Sequence, residues 1–460
     1  MALLRRFRTT AEVLPVSAAA PPPRGLRRTV ASLADPAFRN WFLAQILSAS
    51  GSMAQGVAMA WLMLGLTGSG VDLGLLTTCS FLPVTLTGSW AGALVDRIDR
   101  RRLLITTQIL FTVLSVLLGV LTAGGVVRVW MLFAFTVAFG LVNAADGPAR
   151  QVYVLDLVGA GRLANAVGLN EVVLNTSRVL GPAVGGVLLA TAGASACFFF
   201  NAATFLPPLV VLLTYRSATA SAASGPGAAP PSRAGQVRDG LRYAWGTPTI
   251  RICLFMAAAS GMLFSLGASL PLLATKAFHL GGGGYGLLMA VFGGGAVLGA
   301  VCAASTGAPP SPRAVRILAV LTGLSIIATA AAPGVTPAIA GFATTGCLSI
   351  WFISRTNTLV QLRAKPSMQG RVMGIWTMAL PGATPLTSPL VGWVAGSIGP
   401  REGFGLAGIA LLACAGAGRR ALSDAADGPT GEPTGHSGVF GEPPAGVLGS
   451  AACCTPPPSP

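Results

Sequence analysis

Apolar runs of membrane-spanning length recur along the chain, each closed by a short polar or basic turn. The pattern predicts helical spans at 41–64, 72–95, 103–123, 128–148, 164–190 and 194–215. A second series follows at 250–274, 284–304, 315–333, 336–354, 372–396 and 403–417. A helix needs about 20 residues to cross a bilayer, and only the last run falls clearly short of that. Residues 216–249 interrupt the series. Ala218 to Pro231 is rich in Ser, Ala, Gly and Pro and reads as a flexible linker. Val237-Arg238-Asp239-Gly240-Leu241-Arg242-Tyr243 reads as a short amphipathic helix on the membrane surface. The expected organisation is an arm at 1–37, a six-helix bundle at 38–216, a linker at 217–249, a second bundle at 250–418 and a disordered tail at 419–460. An altered reading frame replacing the native end is the other reading of that tail.

Charge orients these spans. Loops rich in Arg and Lys stay on the cytoplasmic side. With the N-terminus placed in the cytoplasm, only Arg128, Lys276 and Arg401 fall in outside loops and Arg178 falls inside a span. Every other cation of the 30 then faces the cytoplasm. Both termini are therefore expected to be cytoplasmic, in the cell membrane. The first 37 residues carry Arg, Ala and Pro but no apolar stretch of the kind a secretory signal needs. They read as a cytoplasmic arm, with an organelle transit peptide as the alternative.

Composition agrees. Hydrophobic residues make up 53% of the 460 and charged residues 10%, with a mean hydropathy of +0.70. Soluble domains carry about 25% charged residues, so a soluble globular chain and a largely disordered one are both excluded. A net charge of +16 in a soluble protein would suggest nucleic acid; here it follows from basic cytoplasmic loops, and no nucleic-acid partner is expected. The eight Cys and two His have no metal-ligand spacing, so no metal site is expected. There is no Gly-x-x-x-x-Gly-Lys-Ser/Thr, so nothing points to ATP. No cofactor and no enzyme chemistry are expected, and the spans require a lipid bilayer.

The chain repeats itself. Ala149-Arg150-Gln151-Val152-Tyr153-Val154-Leu155-Asp156-Leu157 matches Ser354-Arg355-Thr356-Asn357-Thr358-Leu359-Val360-Gln361-Leu362. Gly161-Arg162-Leu163 and Gly370-Arg371-Val372 follow at similar distance. Span 4 thus corresponds to span 10 and span 5 to span 11, and Arg355 falls near a helix end. Two parallel six-helix repeats joined by a long loop describe a two-bundle secondary transporter.

Polar residues inside the spans are the candidate site. A charge there costs roughly 2.5–3.5 kcal/mol on insertion scales, so it is paired or lines a cavity. Glu171, Asn175 and Arg178 share one face of span 5. At 1.5 Å per residue, Glu171 and Arg178 lie about 10 Å apart along the axis, too far for a simple pair. The functional reading makes Glu171 a proton carrier and Arg178 a contact to an anionic or polar substrate. The structural reading packs Arg178 on carbonyls and pairs Glu171 with a neighbouring helix. Gln45, Ser48, Ser52 and Gln55 form a polar stripe on span 1 that lines the cavity or bonds between helices. Asp146 and Arg150, one turn apart, form a structural or gating ion pair at the cytoplasmic end of span 4. Trp351 and Trp376 serve a planar ligand or simply pack.

Two motifs carry a family resemblance. Between spans 2 and 3 stands Gly92-Ala93-Leu94-Val95-Asp96-Arg97-Ile98-Asp99-Arg100-Arg101-Arg102. It resembles the signature of the major facilitator superfamily, Gly-x-Leu-x-Asp-Arg followed by clustered Arg. The resemblance implies a gating latch between the halves, formed by Gly92, Asp96, Arg97, Arg100 and Arg101. In span 5, Gly168, Gly181, Pro182, Gly185 and Gly186 fall at the spacing of the superfamily's antiporter motif, with Ser177 where Gly is usual. Trp61 to Ser69, Gly147 to Gln151 and Arg178 to Pro182 resemble the branch of enterobactin-type siderophore exporters and macrolide efflux proteins. One departure is the absence of the Arg often found midway along span 4 in drug/proton antiporters. The resemblance implies an all-α membrane protein with twelve transmembrane helices in two six-helix bundles. It further implies a monomer that exports a small hydrophobic drug or secondary metabolite in exchange for protons, by alternating access. A siderophore exporter of the same fold, an uptake facilitator, and a non-transporting scaffold or defective remnant are the alternatives.

Overall fold

The computed structural model of the protein describes residues 31–158, 163–215, 233–365, 368–379 and 382–422. Asp35 starts the first long helix: its carboxylate accepts from the N–H of Ala37 at 2.9 Å and of Phe38 at 3.4 Å, with Pro36 in the first turn. Helices α1 (Pro36–Thr67), α2 (Gly70–Arg97), α3 (Arg100–Ala123), α4 (Val129–Val158) and α5 (Leu163–Thr191) follow. The sixth span consists of α6 (Gly193–Thr204) and α7 (Leu206–Thr214), divided at Phe205. Pro207 and Pro208 lack the N–H that would continue the ladder, which explains the division.

A separate helix, α8 (Arg233–Gly246), meets α9 (Pro248–Leu263) at 108° and so lies across the end of the bundle. Asp239 pairs with Arg371 at 3.6 Å, and the Tyr243 hydroxyl accepts from the Lys365 N–H at 3.2 Å. These contacts brace α8 against the start of the eleventh span. The seventh span continues from α9 through α10 (Leu266–Leu272) and a turn of π-helix at Leu273–Ala277. Then come α11 (Gly282–Ser305), α12 (Pro312–Ala330), α13 (Val335–Arg363), α14 (Gln369–Ala379), α15 (Thr384–Ser397) and α16 (Pro400–Ala417).

Among the described residues, nine helical stretches are long and apolar enough to cross a membrane unaided, or ten if α8 and α9 count as one bent span. The nine are the first six predicted spans and those at 282–305, 312–330 and 335–363. The other three predicted spans are interrupted, as at Phe264-Ser265 and between Ala379 and Thr384, or short and rich in Gly and Ala, as is α16. Helix-breaking residues are tolerated in membranes where neighbouring helices satisfy the freed backbone groups.

The two halves repeat one packing scheme. In the first, α2 packs on α4 and α3 on α6; in the second, α11 packs on α13 and α12 on α16. Across the halves, α2 packs on α15 as α5 packs on α11. Arg150 and Arg355 stand eight residues before the ends of α4 and α13, as the sequence repeat requires. Both helices run well past their apolar segments, because a helix end in water needs no apolar face.

Two boundaries differ from the sequence expectation. Residues 31–37 pack on the first bundle: Ser32 is buried and its N–H donates to the Asn165 side chain at 3.0 Å. At the other end, residues 419–422 continue as a turn rather than opening the tail. Leu422 is fully buried against Ala244 and Ile250, and the Ala421 carbonyl accepts from Thr249 at 3.1 Å. Residues 1–30 and 423–460, and 217–232 of the linker, lie outside the described residues.

Candidate functional site between the two halves

Among the described residues, the halves share a packed core at one end. A single apolar cluster runs through both of them there, with Met63, Leu73 and Phe198 from the first and Leu270, Tyr285 and Phe342 from the second. Trp61 stacks on Tyr285 across the seam, ring centroids 6.3 Å apart. At the other end, which carries the start of α1 and the 97–100 turn, the core divides in two. Trp41, Leu104 and Tyr153 centre one cluster; Ile250, Phe352 and Leu359 centre the other. The molecule is therefore open toward that end and sealed at the opposite one.

Glycines make the seal. A side chain on Gly186 or Gly286 would run into the other's backbone, and so would one on Gly70 or Gly392. Small residues of this kind let membrane helices approach closely. The Thr78 hydroxyl donates to the Pro385 carbonyl at 2.8 Å beside them. The antiporter-like residues of span 5 divide their work. Gly181 packs on Ser50 and Met53 of α1, Gly185 on Ala54 of α1, and Gly186 on α11. Pro182 presents its carbonyl to Gly286, and Gly168 faces open space.

Glu171, Asn175 and Arg178 continue the face that Pro182 and Gly186 turn to the second half. Gly293 of α11 packs on the Arg178 carbonyl, so Arg178 marks where the seam ends. Asn175 stands between the two charges: its amide donates to the Glu171 carbonyl at 2.9 Å, and its oxygen accepts from the Arg178 guanidinium at 3.3 Å. Among the described residues no ion pair joins Glu171 to Arg178, and the exposed Glu171 carboxylate has no protein partner.

The stripe on α1 has a different placement from the cavity-lining one expected. Gln45, Ser48 and Gln55 are buried inside the first half, and only Ser52 is exposed, its hydroxyl donating to the Ser48 carbonyl at 3.0 Å. The Gln55 oxygen accepts from Ser115 of α3 at 3.1 Å and from Asn201 of α6 at 2.8 Å. The Gln45 oxygen accepts from Arg150 of α4 at 2.7 Å. Long amides reach neighbouring helices of their own bundle before they reach the gap, so the stripe knits four helices together.

Asp146 is the centre of the densest polar cluster. It is fully buried and pairs with Arg150. It also accepts from Thr107 at 2.7 Å and from Gln108 at 3.2 Å. Sequence reasoning missed Thr107, Gln108, Ser115 and Asn201. Gln108 and Ser115 share a helix face at i, i+7, and Asn201 is a lone amide behind three Phe, which was the available signal. Among the described residues, Gln45 Nε2, Gln108 Oε1 and Arg150 Nε are buried with no protein partner.

In the second half, Arg355 donates to the carbonyls of Thr306 at 3.1 Å and Ala308 at 2.8 Å, pinning the loop before α12. Trp376 packs in the core of that half, and Trp351 buries its indole N–H without a partner. The surroundings of Gly92 and the side chains of Asp96 and Arg97 lie outside what the structure describes. Arg101 donates to the carbonyls of Leu212 at 2.6 Å and Leu213 at 3.2 Å, and Arg100 opens α3. Arg101 thus fastens α3 to α7 within the first half rather than across the gap. No group of three or more His, Cys, Asp or Glu placed to hold a metal occurs among the described residues.

Two pseudo-symmetric helical halves around a one-sided opening, with charge inside the spans, define a membrane transporter of the major facilitator fold. A family model described as transmembrane secretion effector matches residues 27–432, and the chain belongs to that family of the major facilitator superfamily. It is 28% identical over 375 residues to the multidrug efflux pump Tap of Mycolicibacterium fortuitum, covering 78% of this chain and 90% of that one. It is 25% identical over 399 residues to the enterobactin exporter EntS of Citrobacter koseri, covering 82% and 91%. Among solved structures, a bacterial homologue of the human lysosomal transporter Spinster, inward-facing and occupied, superposes with a TM-score of 0.65. That match is 16% identical and covers 84% of this chain and 96% of the other; it speaks for the fold. The chain is a transporter, not an enzyme.

Proposed function

We propose that the protein exports a small hydrophobic drug or secondary metabolite from the cytoplasm in exchange for protons, by alternating access. Among the described residues nearly all the Arg and Lys lie toward the open end, which supports a cytoplasmic placement of that end and of both termini. The observation that carries the coupling is the contrast between two carboxylates. The predicted spans hold three acids: Asp72 in the first turn of α2, and Asp146 and Glu171 well inside α4 and α5. Both oxygens of Asp146 are engaged by Arg150, Thr107 and Gln108, and protonation would disrupt that set. The Glu171 carboxylate stands exposed on the face turned to the opening, about two helical turns below the seam, free to exchange a proton with water.

Substrate entering from the cytoplasm meets Glu171, Asn175 and Arg178 where the seam begins. Its binding there displaces the proton, and closure of the open end then carries the complex to the other side. The test is substrate accumulation in inside-out vesicles with an acidic interior. Glu171→Gln abolishes pH-driven accumulation at normal expression; retained coupling overturns the assignment. A siderophore substrate is the second reading, favoured by Arg178 at the apex of the opening and by the enterobactin exporter among the relatives.

A further inference from the structure

A second feature lies away from the gap between the halves, on the outer wall of the second bundle. A groove of about 380 Å³ runs between α12 and the end of α16. Ile317, Val320, Leu321 and Leu412 give it apolar walls, and Arg316 and Arg419 stand in it. Ile317 and Leu321 are 54% and 45% exposed, so the groove opens toward the lipid. No carboxylate lines it among the described residues. Arg316 lies in the second turn of α12, and Arg419 follows α16 by two residues. Both guanidiniums therefore sit at the level of one membrane–water interface, with the apolar stretch directed into the hydrocarbon.

We infer that this groove binds one anionic phospholipid, its phosphate held by Arg316 and Arg419 and one acyl chain along Val320, Leu321 and Leu412. The chemistry matches on both counts. Two guanidiniums, one from α12 and one from the turn after α16, offer forked donors to a single phosphate. An acyl chain covers an apolar channel that a soluble anion would leave wet. The proposal is independent of what the transporter carries.

The test places a photoreactive benzophenone residue at Leu321 and, as control, at Val113, which is 55% exposed on α3. The protein is reconstituted in vesicles of one part phosphatidylglycerol to nine parts phosphatidylcholine, irradiated, and the attached lipid identified by mass. Two interfacial arginines favour the anionic lipid about thirtyfold. At Leu321 the odds of phosphatidylglycerol over phosphatidylcholine should exceed those of the vesicle by about that factor. At Val113 they should equal the vesicle's. In Arg316→Ala/Arg419→Ala the enrichment at Leu321 disappears, and in Arg316→Lys/Arg419→Lys, which keeps the charge, most of it remains. Adducts at Leu321 in vesicle proportion overturn the proposal, as does enrichment that survives the double Ala change. Enrichment that appears only after Asp424→Asn/Asp427→Asn also overturns it, since the protein's own tail then fills the groove.

Discussion

Gly293 of α11 packs directly on the backbone carbonyl of Arg178 of α5, and no side chain could stand between them. That contact sets the apex of the opening. On one side of it, glycine-lined backbones seal the halves; on the other, Asn175 and Glu171 face the gap. The seam is thus built to close without side chains, and a methyl group or two there should act as a wedge.

Gly286→Val tests this. Overpacking costs about 1–3 kcal/mol, enough to shift the balance between conformations about five- to 150-fold toward the state open at this end. In a cysteine-free background, Ala190→Cys/Gly283→Cys should cross-link readily, because a Cβ on Gly283 would lie 3.1 Å from that of Ala190. Adding Gly286→Val should lower the cross-linking rate by a factor in that range while the protein remains folded. An unchanged rate would show that the glycines do not set the seal.

Asp146→Asn removes the buried anion from between Arg150, Thr107 and Gln108. The stability loss should be about 1–3 kcal/mol, read as a lower Tm in detergent. Transport per folded molecule should keep its pH dependence, since Asp146 organises the first half and does not exchange the proton. A normal Tm with lost coupling would reverse the roles given to Asp146 and Glu171.

Asn201→Leu cuts the bonds from α6 to Gln55 and Ser115. Interhelical hydrogen bonds in membrane proteins average about 0.6 kcal/mol, so two lost bonds should cost about 1 kcal/mol. The Tm should fall by a few degrees, with substrate affinity unchanged. A large affinity loss at normal Tm would put the α1 stripe back in the binding cavity.

Arg178→Ala separates the substrate classes. A bond to a charged group contributes about 1.5–3 kcal/mol, so an anionic siderophore should bind about ten- to 150-fold more weakly. A neutral or cationic drug should bind within about twofold of wild type. Equilibrium binding to the purified protein reads either result.

Much of this architecture was legible before any coordinates. The apolar runs, the alternation of basic loops and the match of Arg150 with Arg355 depend on hydropathy and spacing, which the bilayer enforces strongly. The face shared by Glu171, Asn175 and Arg178 follows from helical geometry alone. The partners of the polar side chains were not legible. Gln45 and Gln55 looked like cavity lining because a stripe shows its direction on a helix but not which neighbour it meets. Thr107 and Gln108 form a short polar step with Thr106 in an apolar run and Asn201 stands alone in another, and only packing brings them onto Asp146 and Gln55. The end at which the halves meet was hidden for the same reason, since glycines spaced for close packing occur throughout the chain.

The most direct measurement uses the purified protein in inside-out vesicles with an acidified interior and a trapped pH-sensitive dye. Macrolides, cationic dyes and catecholate siderophores are added in turn outside. The account predicts that a transported class makes the interior more alkaline, as protons leave in exchange for entering substrate, and that Glu171→Gln abolishes the signal. Substrate entry into wild-type vesicles with no movement of protons, or an undiminished signal from Glu171→Gln, would contradict it.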